Sequence, residues 1–199
     1  MTEALPRVSP WNLANYLTVL RLLLVPVFLV LLLVEDGEHA GYRLAAAGVF
    51  VVAALTDRID GQIARSRGLI TSFGKLADPI ADKALIGAAL IGLSLLDELW
   101  WWVTILVLVR EIGVTLLRFV VIRHGVMPSG RGGKLKTVLQ TVAITLYLLP
   151  LTGVLQTASA VVMGVAVVLT VLTGLEIVVK ALILRTTSER ADMKRAARS

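Results

Sequence analysis

The feature that most constrains the fold is a series of long apolar blocks joined by short polar connections. These blocks predict helices at about 11–34, 42–65, 79–96, 100–123, 134–151 and 158–184. Each is close to the ~20 residues with which a helix crosses the hydrocarbon core of a bilayer. Of the 199 residues, 57% are hydrophobic and only 17% are charged, which is more apolar surface than a soluble domain of this size can bury. The sequence therefore predicts an all-α, polytopic membrane protein with six transmembrane helices.

The domain organisation is predicted to be simple. The sequence shows no low-complexity tract, no Pro/Gly/Ser-rich linker and no convincing internal repeat. Because the connections are short, neighbouring helices should pack antiparallel, and residues 1–199 are expected to form one bundle and one domain. Residues 1–11 are expected to be an interfacial segment, and residues 185–199 a basic cytoplasmic tail.

Lysine and arginine are distributed unevenly among the predicted connections. Thirteen basic residues lie on one side of the predicted membrane, against Arg43 alone on the other. Because such residues accumulate in cytoplasmic loops, both termini are predicted to be cytoplasmic. The net charge of +6 suits an anionic membrane surface and anionic substrates, although the orientation signal alone would also account for it.

An acidic segment interrupts the apolar sequence where the second predicted helix reaches the cytoplasmic interface. Its pattern is Asp57-x2-Asp60-Gly61-x2-Ala64-Arg65-x8-Gly74-x3-Asp78-x3-Asp82. The first part follows the i, i+3, i+4, i+7 spacing of one helical face, and the last three residues follow i, i+4, i+8. Pro79 suits the first turn of the third helix, with Asp78 as its alternative N-cap. Since carboxylates are costly near a bilayer, we interpret the segment as a functional site.

The available side chains restrict the metal that such a site could bind. Cysteine is absent, and His39 and His124 are the only histidines. A metal must therefore be bound mainly by oxygen, which favours Mg²⁺, Mn²⁺ or Ca²⁺. Four carboxylates on two facing helix ends could hold one or two such ions, and without a metal they would repel one another. The alternative is a set of ordinary interfacial charges neutralised by basic neighbours, namely Arg58, Arg65, Lys75 and Lys83.

The acidic segment resembles the signature of the CDP-alcohol phosphatidyltransferase family, D-x2-D-G-x2-A-R-x8-G-x3-D-x3-D, at every position. The resemblance implies a membrane-embedded homodimer in which two divalent ions, Mg²⁺ or Mn²⁺, hold the diphosphate of a CDP-linked lipid. It implies that Asp82 both binds metal and is the candidate catalytic base. The other implied metal and CDP-lipid ligands are Asp57, Asp60 and Asp78. The residues implied to line the cytidine nucleotide are Gly61, Ala64, Arg65 and Gly74.

The implied setting is the plasma membrane of a bacterium. The active site would face the cytoplasm, because the acidic segment lies on the side that carries the basic loops. The lipid bilayer is an expected partner, and no nucleic acid is expected to bind.

Basic residues in and after the fourth predicted helix indicate a site for a phosphorylated acceptor. Arg110, Glu111 and Arg118 lie inside an apolar run, where arginine needs polar partners. The arginine fork matches the oxygens of a phosphate. The residues we assign to the acceptor phosphate are Arg110, Arg118 and Lys136, and more weakly Lys134 and Arg21. The alternative is an internal network of Arg110 and Glu111, together with basic side chains that reach the lipid headgroups.

The fourth and fifth predicted helices, with the early segment Asn15-x2-Thr18-x2-Arg21-x4-Pro26, resemble the phosphatidylglycerophosphate synthase branch of the family. The resemblance implies transfer of the phosphatidyl group from CDP-diacylglycerol to sn-glycerol 3-phosphate in phospholipid biosynthesis, with release of CMP. A cardiolipin synthase, or another CDP-alcohol phosphotransferase with a different acceptor, is the nearest alternative. A cation transporter is a distant alternative. Transporters typically bind ions near the midplane, often between internal repeats, whereas the acidic segment lies at one interface and the sequence shows no convincing repeat.

Overall fold

The structure, a computed structural model, describes the backbone of residues 13–66, 72–121 and 131–196 and the side chains of residues 15–56, 80–117 and 132–183. Within these ranges the protein is all-helical, without strands. The described helices are α1 (Leu13–Leu33), α2 (Ala40–Ser66), α3 (Ser72–Leu95), α4 (Trp101–Val121), α5 (Arg131–Leu148) and α6 (Val154–Ala196). A short 3₁₀ turn, Val34–Gly37, joins α1 to α2.

The all-α prediction is confirmed over the described residues, but the predicted start of the third helix is wrong. Helix α3 begins at Ser72, so Pro79 lies inside it and Asp78 is not its N-cap. A proline removes only one backbone donor, and a helix with enough bonds on either side can continue through it. Proline also lies inside α1, at Pro26.

Helix α6 continues beyond the predicted end at residue 184. It extends to Ala196, so the basic tail is helical over most of its length. Residues 185–196 contain neither glycine nor proline and include several good helix formers, which explains the extension.

Two described stretches are long and apolar enough to cross a membrane. They are Asn15–Gly37, with 23 residues, and Val154–Ile183, with 30. In an apolar 18-residue window of each stretch only 22% and 33% is buried inside the protein, whereas a core helix of a soluble protein would be mostly buried. Large outward-facing apolar surface of this kind is typical of contact with a membrane. How the six helices lie in a bilayer stays a prediction.

The described chain divides into two compact units, of which the first carries the acidic segment. It consists of the residues up to Leu99 together with Ile144–Thr152. Helix α1 packs against both α2 and α3, and Phe28 and Phe50 are fully buried there, with their ring centroids 5.8 Å apart. These contacts bring the two helices that bear the acidic segment together on α1.

A single arginine joins three parts of this first unit. Arg43, on α2, forms a two-pronged ion pair with Glu98, in the turn after α3. It also donates to the backbone carbonyls of Tyr147 and Leu148, at 2.7 and 3.4 Å. These bonds fix the end of α5, whose last carbonyls have no partner within the helix.

The second unit contains α4, the first part of α5 and α6. Its residues are 100–143 and those from Gly153 onward. Helix α4 packs along α6, and Val107 and Ala166 are buried in this unit. The single domain predicted over residues 1–199 stays a prediction.

Candidate active site

The acidic segment lies on the ends of two consecutive helices. Asp57 and Asp60 are in the last ten residues of α2, and Asp78 and Asp82 are in the first eleven of α3. Because both stretches are helical, the predicted spacings do place each pair on one helical face. Since α2 and α3 pack against each other in the first unit, the segment combines two carboxylates from each of two neighbouring helices.

Most of the predicted site residues lie outside the range in which side chains are described. They are Asp57, Asp60, Gly61, Ala64, Arg65, Gly74, Asp78 and Arg118. The side chain of Asp82 is described and is partly buried. The roles predicted for the eight residues without described side chains therefore rest on their positions along α2, α3 and α4.

The chemistry of the acidic segment fits a hard divalent cation. Its ligands are carboxylate oxygens, the donors that Mg²⁺ and Mn²⁺ prefer. Among the described side chains, no group of three or more histidines and carboxylates could hold a metal. Only Asp82 of the four motif carboxylates belongs to those side chains, so a metal site at this position would depend on Asp57, Asp60 and Asp78.

The polar residues of α1 belong to the same unit as the acidic segment. Asn15, Thr18 and Arg21 are buried along one face of α1, and Arg21 is only 1% exposed. Arg21 lies about 12 Å along α1 from Leu13, and Asp82 lies about 15 Å along α3 from Ser72, at 1.5 Å per residue. Arg21 and the acidic segment both belong to the first unit, whereas Arg110 and Lys136 belong to the second.

Arg110, Glu111 and Lys136 form what we call the charge cluster, inside the second unit. Arg110 Nη1 donates to Glu111 Oε1 at 2.9 Å, and Lys136 Nζ forms an ion pair with the same oxygen. The three side chains are 14%, 16% and 5% exposed, respectively. The internal network that the sequence left open is therefore present. Two cations share one carboxylate, so the cluster retains one positive charge.

Arg110 also forms hydrogen bonds with helix α6, which sequence reasoning did not predict. Arg110 Nε donates to the backbone carbonyl of Thr170 at 3.1 Å, and Nη2 donates to the hydroxyl of Thr173 at 2.8 Å. A methyl group added at Gly174 would lie 3.1 Å from Cγ of Arg110, so glycine provides the space for the side chain. The only sequence signal was a Thr-x2-Thr-Gly pattern in an otherwise apolar helix.

The two predicted lysines of α5 lie in different environments. Lys136 is buried, at 4% exposed, whereas Lys134 is exposed. Residues two apart on a helix point in different directions, which separates them. The structure therefore brings Lys136, and not Lys134, into the charge cluster.

Comparison with known proteins shows which family the chain is similar to. The family model described as CDP-alcohol phosphatidyltransferase matches residues 11–172. A protein of Mycobacterium tuberculosis strain H37Rv, named probable phosphatidylglycerophosphate synthase, is 57% identical over 171 residues, which cover 86% of this chain and 82% of the relative.

Two further relatives carry a more specific name. The CDP-diacylglycerol–glycerol-3-phosphate 3-phosphatidyltransferase of Bacillus subtilis strain 168 is 37% identical over 179 residues, covering 83% of this chain and 93% of that protein. The protein of the same name from Rickettsia typhi strain Wilmington is 38% identical over 168 residues, covering 82% of this chain and 93% of the relative.

Proposed function

We propose that this chain, which belongs to the CDP-alcohol phosphatidyltransferase family, transfers the phosphatidyl group of CDP-diacylglycerol to sn-glycerol 3-phosphate. The products are phosphatidylglycerophosphate and CMP. The observation that carries the proposal is the similarity, over more than four fifths of the chain, to relatives whose names specify this donor and this acceptor. The complete acidic segment on α2 and α3 supports it.

The reaction is a substitution at the phosphorus that carries the diacylglycerol. The hydroxyl oxygen on C1 of glycerol 3-phosphate forms a bond to this phosphorus, and the bond to the oxygen of CMP breaks. The proton of the hydroxyl passes to the carboxylate of Asp82, our candidate base. A carboxylate is a weak base, so its effect depends on being held close to the attacking hydroxyl.

The four carboxylates of the acidic segment are the residues that would hold two divalent ions. Bound Mg²⁺ or Mn²⁺ would neutralise the diphosphate and the leaving CMP and orient an in-line attack. Beside them, Gly61 and Ala64 leave the backbone of α2 bare, so a nucleotide can approach it closely. Together with Arg65 and Gly74 they are our candidates for binding the cytidine nucleotide.

The charge cluster is our candidate for binding the acceptor phosphate. Arg110 has five N–H donors, of which three are accounted for by Glu111, Thr170 and Thr173. It is therefore held in a fixed orientation and still has donors for a phosphate. Lys136 adds a buried ammonium group. Arg118 and, more weakly, Lys134 are our further candidates for this phosphate. Arg21, the other weaker candidate from the sequence, belongs to the first unit.

The membrane arrangement is also part of the proposal. We place all six helices across a bacterial plasma membrane in one bundle, with both termini and the active site on the cytoplasmic side. The two apolar stretches in α1 and α6 and the strong bias of lysine and arginine support this. A homodimer is proposed on the family resemblance.

The test is CMP release by the purified protein in detergent with CDP-diacylglycerol and Mg²⁺ or Mn²⁺. Glycerol 3-phosphate, phosphatidylglycerol, serine and inositol phosphate are offered separately, and release with glycerol 3-phosphate alone is expected. Release with phosphatidylglycerol alone would instead identify a cardiolipin synthase.

Substitution of the candidate base tests the chemical step. Asp82→Asn should reduce turnover by at least about 100-fold, the lower range for removing a general base. Asp97→Asn is the matched control, because Asp97 is exposed in the turn after α3 and its φ of 55° suits asparagine. An Asp82→Asn protein with near-normal turnover would remove Asp82 as the base.

A further inference from the structure

The side chain of Gln140 carries a polar group that the described part of the protein does not satisfy. Gln140 lies on α5, within the unit that contains the charge cluster, and is 3% exposed. Its Nε2 atom is buried and has no hydrogen-bond partner among the described residues. Most buried amides in proteins are paired, because an unpaired one loses its bonds to water without replacement. An unpaired buried amide therefore points to a ligand group that completes it.

The position of Gln140 on the helix connects it to the charge cluster. Lys136 precedes it by four residues, so the two side chains lie on one face of α5, about 6 Å apart along its axis. Both are buried, whereas Leu135 and Val138 on other sides of the helix are exposed. Lys136 in turn is paired with Glu111. The unpaired amide thus lies one helical turn from the cations to which we assign the acceptor phosphate.

We propose that the carboxamide of Gln140 binds a hydroxyl group of the phosphorylated acceptor and so selects acceptors that carry it. This inference rests on the proposed function, since it takes the acceptor phosphate to lie at the charge cluster. A carboxamide both donates and accepts hydrogen bonds, as a hydroxyl does, whereas phosphate is matched by guanidinium and ammonium groups. Gln140 is therefore suited to the uncharged part of the acceptor.

The chemistry of glycerol 3-phosphate indicates which hydroxyl this is. The hydroxyl on C1 is the nucleophile and must face the donor phosphorus. The hydroxyl on C2 takes no part in the substitution and lies only a few bonds from the phosphate. We assign the C2 hydroxyl to Gln140.

The experiment compares two acceptors in the intact enzyme. They are glycerol 3-phosphate and 3-hydroxypropyl phosphate, which differs only in lacking the C2 hydroxyl. The rate of CMP release gives kcat/KM for each, and the wild type is expected to prefer glycerol 3-phosphate by about 10-fold, a typical effect of one neutral hydrogen bond at its upper range. Gln140→Leu, which keeps the approximate size and removes both polar atoms, should abolish this preference.

A matched control and a second variant keep the test decisive. Gln156→Leu makes the same change at an exposed position of α6 and should leave the preference intact. Gln140→Asn keeps a carboxamide but withdraws it by one methylene group, and it should also lower the preference. If Gln140→Leu fails to fold, Gln140→Asn still tests whether Gln140 selects the acceptor.

The outcomes separate this inference from the proposed function. A wild type without the preference, or Gln140 variants that retain it, would overturn the role of Gln140. Equal losses for both acceptors would also overturn it, because a structural role or a bound water affects both acceptors alike. No CMP release by the wild type with glycerol 3-phosphate would refute the proposed function itself.

Discussion

Glu111 pairs with both cations of the charge cluster, so its removal should be unusually costly. We predict that Glu111→Gln destabilises the protein by about 3–5 kcal/mol, the cost of removing one partner from a buried ion pair. All three side chains are at most 16% exposed, so the loss of stability expected for a buried pair applies without reduction. Glutamine keeps the shape of the side chain, so the loss reports on charge rather than packing.

The assay is thermal unfolding of the purified protein in detergent. For a chain of this length, about 1 kcal/mol corresponds to about 2–4 °C, so the midpoint should fall by roughly 6–20 °C. Lys136→Met should cost less than Glu111→Gln, because the carboxylate then keeps its bond to Arg110 at 2.9 Å. The order of the two variants follows from the geometry and does not depend on the absolute scale.

The same substitution at a second pair provides the control. Glu176 pairs with Lys180 one turn along α6, and these side chains are 50% and 53% exposed. Both side chains extend out of the protein in the last turns of the stretch Val154–Ile183, where a lysine can reach the headgroup region, so Glu176→Gln should lower the midpoint by less than Glu111→Gln. Equal shifts for Glu111→Gln and Glu176→Gln, or a larger shift for Lys136→Met than for Glu111→Gln, would refute the reasoning.

Two other substitutions and metal removal test the remaining parts of the proposal. Thr173→Val removes the hydroxyl that accepts from Arg110 at 2.8 Å, so KM for glycerol 3-phosphate should rise about 10-fold. Steady-state CMP release should show little change in kcat or in KM for the CDP-lipid. A fall in kcat alone would contradict this role. Arg43→Met breaks the exposed pair with Glu98 and two bonds to the end of α5. Thermal unfolding should show a loss of about 1–3 kcal/mol with KM unchanged, and an unchanged midpoint would contradict this role. Chelation by EDTA should abolish CMP release and added Mg²⁺ or Mn²⁺ should restore it, whereas activity that persists in EDTA would argue against a metal.

The sequence predicted the helices well because the apolar blocks are long and the connections between them are short. It failed at the start of α3, where Pro79 was taken as a start signal. A proline at the first turn of a helix and a proline inside one give the same local pattern, and the bonds of the flanking turns decide between them. The predicted i, i+4 relation of Asp78 and Asp82 fits α3 nevertheless, because this helix begins at Ser72 and runs through both residues.

The contacts of Arg110 with α6 could not be predicted from the sequence. The chain separates Arg110 from Thr170 and Thr173 by 60 and 63 residues. Moreover, a threonine in an apolar helix usually satisfies its hydroxyl on its own backbone, and Thr173 does donate to the carbonyl of Leu169 at 2.7 Å. Only the packing of α4 along α6 shows that the same hydroxyl also accepts a bond from a guanidinium.

The two interpretations of the basic residues, internal network and phosphate site, are compatible once charge is considered. Buried cations need a counter-charge when no acceptor is bound, and Glu111 supplies it to Arg110 and Lys136. One carboxylate against two cations leaves one positive charge. Arg118 lies seven residues after Glu111 on α4, two turns along the same face, and would add a second. Two such charges would match the dianionic phosphate of the proposed acceptor, so an internal network around Glu111 and a phosphate site are compatible interpretations.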